Sequence, residues 1–254
     1  MASKSLKTVP KTSVQIWQPI LDKLEAKIKS ACLRRDPYLE RVLRIELDCL
    51  DEEVSLANSQ ASFDFVSSRL RQLGNRKLVS LALPPKLTTR LNDICMRKRI
   101  VRDAFFNRLF LLLAASPPSI DTLLFGGESR WRADVWSEHK HDEAFFQNGF
   151  YPLEASIDPF WAIRAGLEMS ASDAGLEDYL DPKSGRKIRV KRDLTGAIAP
   201  ADSLYTTIFE RKVAGNDLLG LSCYLPDWRI PDHENEQEHR AKLDELLADL
   251  MSSP

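Results

Sequence analysis

The sequence predicts a mainly α-helical protein whose C-terminal part is of mixed α+β type. Three observations support this prediction. A unit of short strand, helix, turn and helix occurs twice before residue 115. The composition, 43% apolar and 29% charged, is that of an ordinary globular protein. Beyond Ser116, short alternating runs replace the long helical patterns.

The repeat is clearest in the second helix of each copy. Residues 34–43 (RRDPYLERVL) match residues 101–110 (VRDAFFNRLF), 67 positions later. The preceding strand-like segments, 14–19 and 79–84, are 65 positions apart, which predicts two extra residues after the strand of the second copy. Because such a unit cannot cover its own apolar face, we expect the two copies to pair within one chain.

The first copy is predicted over residues 12–51. Its alternating strand ends at Pro19, which opens a helix because the first helical turn needs no N–H partner. Asp36 and Pro37 then mark the start of the second helix, since an aspartate there can accept an unpaired backbone N–H.

Residues 54–75 predict a connecting helix that ends near Gly74 and leads into the second copy. That copy is predicted over residues 76–114 and repeats the order of the first. Its second helix is strongly apolar, at Phe105, Phe106 and Leu109 among others, which predicts a buried central helix.

Residues 116–119 (SPPS) predict a boundary between one domain at 11–115 and another at 119–254. Alternation of basic and β-branched residues over 186–192 indicates a strand with a basic face, suited either to a nucleic acid or to acidic residues of its own domain. Residues 203–213 and 218–225 also have strand-like patterns. A last amphipathic helix is predicted after Pro231.

The net charge of −1 is distributed unevenly between the two predicted parts. Residues 1–115 carry 21 Lys and Arg against 12 Asp and Glu, a net charge of +9, and the remaining residues carry −10. A basic half suits a polyanionic partner.

Several other classes of protein are disfavoured. No apolar run is long enough to cross a bilayer and no signal peptide is evident, so we expect a cytoplasmic protein without membrane contact. The four cysteines lack a C-x-x-C motif and indicate a reducing compartment. The histidine pairs, His139 with His141 and His233 with His239, lack zinc-site spacing. No catalytic motif is present, so we expect no enzyme activity, no cofactor and no metal.

Residues 12–51 and 76–114 each contain a strand that ends in proline, a helix, a basic turn, and an Arg-Asp pair at the head of a second helix. In this order of elements they resemble the ribbon-helix-helix fold of the Met and Arc repressor class. The resemblance implies that the two strands pair into an antiparallel ribbon that enters the major groove of DNA. It also implies that backbone N–H groups at the start of each second helix bind phosphates. Family members normally dimerise to make the ribbon, whereas here one chain would supply both halves as a tandem pseudo-dimer.

The resemblance implies two sets of DNA-contacting residues. The base-reading candidates are the outward strand positions Ser13, Gln15, Trp17, Leu78, Ser80 and Ala82. The phosphate candidates are the basic residues around the ribbon and the helix starts, Arg34, Arg35, Arg76, Lys77, Arg97, Lys98, Arg99 and Arg102. Of the first set, only Gln15, Ser13 and Ser80 can form discriminating hydrogen bonds with base edges. For the arginines, the alternative is pairing with Asp36 and Asp103.

Two functions are compatible with these patterns. The first is a DNA-binding transcriptional regulator, such as a repressor, or a plasmid or mobile-element accessory factor. Its partner is double-stranded DNA, and its acidic C-terminal domain senses, self-associates or binds a protein. The second is an adaptor in a nucleoprotein, antitoxin or defence complex, in which the same module binds protein. The arginine clusters favour the first, and the apolar outward residues Trp17, Leu78 and Ala82 favour the second.

Overall fold

The computed structural model describes residues 11–140, 153, 158–171, 175–192 and 196–230. The helix predicted after Pro231 lies outside the described residues, as do His141, His233 and His239.

The N-terminal part consists of two strands, each followed by two helices, with one further helix between the copies. These elements are β1 (Lys11–Trp17), α1 (Gln18–Ser30), α2 (Arg35–Glu53), the connecting α3 (Gln60–Gln72), β2 (Arg76–Ala82), α4 (Pro85–Lys98) and α5 (Arg102–Ala114).

The remaining described elements are shorter. They are α6 (Pro117–Leu124), α7 (Arg130–Glu138), α8 (Trp161–Ala171), β3 (Glu177–Leu180), β4 (Lys187–Arg192), β5 (Ile198–Pro200), β6 (Lys212–Val213) and β7 (Asn216–Asp217), with 3₁₀ turns at Leu218–Leu221 and Asp227–Arg229. Strands β3, β4 and β5 form a three-stranded antiparallel sheet. The predicted fold class, mainly helical with an α+β C-terminal part, is confirmed.

Strands β1 and β2 pair with each other inside the chain. The pairing is antiparallel and sets Ser13 opposite Ser80 and Val14 opposite Val79. One face of this ribbon, which includes Val14 and Leu81, is buried against the helices, as alternation predicts. The predicted intrachain ribbon is therefore confirmed.

The helices of the two copies share one spacing, whereas the paired strands begin 65 positions apart. Two residues, Leu83 and Pro84, therefore separate β2 from α4 where none separates β1 from α1, as expected. Helices α1 and α4 begin 67 positions apart, and so do α2 and α5. At this spacing Ser13 corresponds to Ser80, and these two residues face each other in the ribbon. An approximate two-fold axis therefore passes between Ser13 and Ser80. At the 67-position spacing of the helices, the counterpart of Val14 is Leu81, and the residue opposite Val14 in the ribbon is Val79.

Helix α5 is the centre of the core, as its apolar sequence predicts. Phe105, Phe106 and Phe110 are fully buried on it. The same helix also buries Arg108, whose Nε donates to the carbonyl oxygen of Leu204 at 2.8 Å.

Residues from the C-terminal part fold back onto this core. The side chain of Asn58, just before α3, donates to the carbonyl of Cys223 at 2.9 Å and accepts from the N–H of Leu225 at 3.0 Å. At Gly220 a Cβ atom would lie 2.6 Å from the backbone nitrogen of Leu70, so the close approach requires glycine. Apart from Val190, the buried apolar residues of both parts belong to one continuous cluster. The division into two domains stays a prediction.

The strands expected over residues 203–213 and 218–225 were wrong apart from the two-residue β6. Side-chain hydrogen bonds favour turns there instead. The hydroxyl of Ser203 accepts from the N–H of Thr206 at 3.2 Å, and the carboxylate of Asp217 accepts from the N–H of Leu219 at 2.9 Å. Such local contacts compete with strand formation.

A buried charge network joins the C-terminal part to α2. The guanidinium of Arg164 on α8 contacts Glu46 at 2.6 Å, Glu53 at 2.9 Å and Asp158 at 2.7 Å. The hydroxyl of Tyr205 donates to Glu46. Burial raises the pKa of Glu46 despite the opposing charge of Arg164. Burial alone would lower the pKa of Arg164, but the nearby Glu46 and Glu53 outweigh it and raise that pKa.

Replacing Arg164 with methionine should lower the free energy of unfolding by about 3–5 kcal/mol, because it leaves buried carboxylates without their cation. Urea unfolding measures this loss. The control is Arg130→Met, since Arg130 is 80% exposed in its ion pair with Glu128 and its loss should cost less than about 1 kcal/mol. Equal effects of the two substitutions would contradict the role assigned to Arg164.

The raised pKa of Glu46 predicts a dependence of stability on pH. Above the unfolded pKa of glutamate, about 4.3, the folded protein keeps a proton that the unfolded chain has lost. The contribution of Glu46 to the free energy of unfolding therefore falls as the pH rises toward the folded pKa. Glu46→Gln removes this titration. Between the unfolded and the folded pKa of Glu46, the free energy of unfolding of the variant should therefore rise with pH relative to that of the unsubstituted protein. Urea unfolding at several pH values would reveal a constant or decreasing difference if the prediction fails.

Candidate nucleic-acid interface

The outer face of the ribbon is exposed and mixed in character. Ser13, Gln15 and Ser80 are exposed on it, and Leu78 is 65% exposed directly opposite Gln15. Arg76 Nη1 donates to Gln15 Oε1 at 2.8 Å. An amide and a guanidinium therefore lie side by side at one end of the face.

Two of the six outward candidates are not exposed. The side chain of Trp17 is only 3% exposed, because the chain turns into α1 at this residue and the indole joins the core. Ala82, at the end of β2, is half-buried. The expectation that Trp17 faces outward was wrong.

Each edge of the ribbon is bound by the start of a helix from the other copy. Arg35 Nη2, at the head of α2, donates to the carbonyl of Ser80 at 2.9 Å, and Asp36 accepts from the N–H of Ala82 at 2.9 Å. On the opposite edge, Arg102 and Asp103 at the head of α5 repeat the arrangement.

There Arg102 Nη2 donates to the carbonyl of Ser13 at 2.9 Å, and Asp103 accepts from the N–H of Gln15 at 3.2 Å. Each contact is displaced by 67 positions from its counterpart, in agreement with the two-fold axis. The repeated Arg-Asp pair thus binds the open edges of the strands. This role was not predicted from the sequence, although the repetition of the pair could have indicated it.

Asn107 extends the closure of the β1 edge by one more residue. Its Nδ2 donates to the carbonyl of Gln15 at 2.8 Å, and its Oδ1 accepts from the N–H of Trp17 at 2.8 Å. The equivalent position, just beyond β2, is Pro84, which has no N–H that needs a partner. The counterpart of Asn107 is Glu40.

The phosphate candidates differ widely in availability. Arg34, Arg76, Lys77 and Arg99 are exposed, and Arg35 and Arg102 are half-buried. Because Arg35 and Arg102 hold the ribbon edges, replacing them would disturb folding and any binding together.

Lys98 and Arg97 both bind residues at the C-terminal end of α2. Lys98 is only 7% exposed, its Nζ lies 3.0 Å from Asp51 Oδ1, and it also donates to the carbonyl of Val54. Burial lowers the pKa of Lys98, and Asp51 opposes this shift. Arg97 contacts Asp51 and Asp93, each at 3.1 Å. The expectation that Lys98 is accessible was wrong.

The basic strand β4 meets acidic residues of its own part of the chain. Arg192 contacts Glu177 at 2.5 Å, and Lys191 pairs with Asp202. This is the second of the two alternatives left open for that strand.

Other types of site are not evident in the part of the chain that the structure describes. Within residues 11–140 and the later described ranges, no helix has the length and apolar composition needed to cross a bilayer. Nor do those residues include three or more His, Cys, Asp or Glu side chains placed to hold a metal ion.

No family model, curated protein or solved structure matches this chain.

Asn107→Leu should lower the free energy of unfolding by about 1–3 kcal/mol or more, because it leaves the N–H of Trp17 and the carbonyl of Gln15 without partners. The matched control is Glu40→Leu at the counterpart position, where only an i,i+4 pair with Arg44 is lost. Urea unfolding of both variants tests the edge contact, and a larger loss for Glu40→Leu would contradict it.

Proposed function

We propose that the N-terminal part is a single-chain ribbon-helix-helix module that binds double-stranded DNA, in a transcriptional regulator or a mobile-element accessory factor. The observation that carries the proposal is the exposed intrachain ribbon with an arginine-bearing helix start on each edge. A two-stranded ribbon fits the major groove, and helix starts attract phosphates.

The closed edges also favour this proposal. A ribbon with free edges could recruit a protein partner by adding a strand. Here Arg35, Asp36, Arg102 and Asp103 occupy the outward backbone groups at the centre of the ribbon. A partner must therefore contact the face of the ribbon, as DNA would.

Base reading would be concentrated at one end of the face. Gln15 offers a donor and an acceptor that suit an adenine edge, and the adjacent Arg76, a phosphate candidate, donates to its Oε1. The counterpart of Gln15 at the observed spacing is Ala82, which offers only a methyl group. An asymmetric target site follows, with its stronger half beneath Gln15 and Arg76.

The alternative is an adaptor that binds protein through the same face. The observation that favours it is the apolar Leu78, which is 65% exposed opposite Gln15. A thymine methyl could also cover this side chain. The two functions predict different results: a regulator binds DNA in a sequence-dependent way, whereas an adaptor does not.

Gln15→Ala should weaken binding to the preferred DNA site by about 1–3 kcal/mol, because a bidentate base contact carries discrimination. The preferred site is selected from random duplexes with the unsubstituted protein, and affinities are measured by fluorescence anisotropy. Binding to random DNA should change little. The matched control is Gln18→Ala, an exposed glutamine outside the ribbon.

Equal losses on both DNAs, or no loss on either, would mean that the ribbon does not read sequence. That result would favour the adaptor function.

A further inference from the structure

Helix α3 lies outside the repeated unit, yet it reaches the ribbon on one flank. A groove of about 580 Å³ opens between α3, the ribbon, α4 and the start of α5. Arg71 of α3, Arg76 of β2 and Arg102 of α5 all line it. Three guanidinium groups from three separate elements therefore face one space.

The two-fold axis allows this flank to be compared with the other one. On the α2 flank, Arg35 contacts the carboxylate of Glu25 at 3.1 Å. The counterpart of Glu25 is the neutral Asn92, which lines the groove beside Arg102. The acidic group that engages the arginine on one flank is thus replaced by an amide on the other.

The groove carries an excess of positive charge. Neither Arg71 nor Arg76 forms an ion pair with a residue of the described ranges, and both are exposed. Asp103 is the acidic side chain in the groove. Its Oδ2 accepts from the N–H of Gln15, and its Oδ1 lies 3.9 Å from Arg102 Nε. Three guanidinium groups against one carboxylate leave a net charge of about +2.

We propose that this three-arginine groove binds a backbone phosphate of DNA on the α5 flank only, which makes α3 a third DNA-contacting element. The inference rests on the proposed function and adds to it an asymmetric anchor outside the repeat. Guanidinium groups bind phosphate oxygens with paired hydrogen bonds. Phe63 and Met96, which also line the groove, offer an apolar surface to the adjoining deoxyribose.

The test compares Arg71→Ala, Arg71→Lys and the control Arg44→Ala in the full chain. Arg44 is 60% exposed on α2 and lines a different groove, so it removes one charge elsewhere. Affinity for a random-sequence duplex is measured by fluorescence anisotropy over a series of NaCl concentrations. Arg71→Ala should weaken binding several-fold and reduce the slope of log K against log salt by about 0.9. Arg71→Lys should keep the slope, and Arg44→Ala should change nothing.

The outcomes distinguish failure of the phosphate site in the groove from failure of the proposed DNA-binding function. If the unsubstituted protein binds with a steep salt dependence and Arg71→Ala keeps the same slope, the groove does not bind phosphate while the proposed function stands. If the unsubstituted protein binds no duplex at any salt concentration, both are overturned. Unchanged thermal melting of Arg71→Ala, expected for an exposed side chain, ensures that a lower slope reports contact and not unfolding.

Discussion

A two-stranded ribbon has two edges of unpaired backbone groups, and the closing of these edges by two Arg-Asp pairs holds this structure together. Each pair belongs to one copy of the repeat and binds the strand of the other: Arg35 and Asp36 bind β2, and Arg102 and Asp103 bind β1. The copies are therefore interlocked, with a buried ribbon face beneath them. Neither copy could satisfy its own strand, which explains in physical terms why the unit occurs twice in one chain.

The closed edges also determine what the ribbon can do. Because the outward backbone groups are used internally, a binding partner would have to contact the side chains of the exposed face and the cations beside it. The chain departs from two-fold symmetry there, since Gln15 corresponds to Ala82 and Glu25 to Asn92. An internal repeat lets the two halves diverge separately, which two identical chains cannot do. This freedom is the physical basis for the asymmetric DNA target that we propose.

Much of the N-terminal fold could be predicted from the sequence, because its signals are local. Proline at the helix starts, alternation in the strands and the apolar α5 indicated the elements correctly. The burial of Trp17 and Lys98 could not be read in this way, since each depends on where a distant element lies. The sequence places Lys98 in a basic turn, but in the fold it packs against the end of α2 and donates to the carbonyl of Val54. Beyond residue 200, hydrogen bonds from Ser203 and others override strand-like alternation.

A disulfide across the two-fold axis tests the pairing of β1 with β2 inside one chain most directly. Ser13→Cys and Ser80→Cys are combined, with Cys32→Ser to remove the exposed native thiol. Directly opposite residues have Cβ atoms about 4.5–5.5 Å apart and diagonal ones about 7–8 Å. Mild oxidation should give a crosslink within one chain, and much less with Ser13→Cys and Leu78→Cys, measured by non-reducing electrophoresis and peptide mass mapping. Disulfide-linked dimers, or equal crosslinking in both registers, would contradict it.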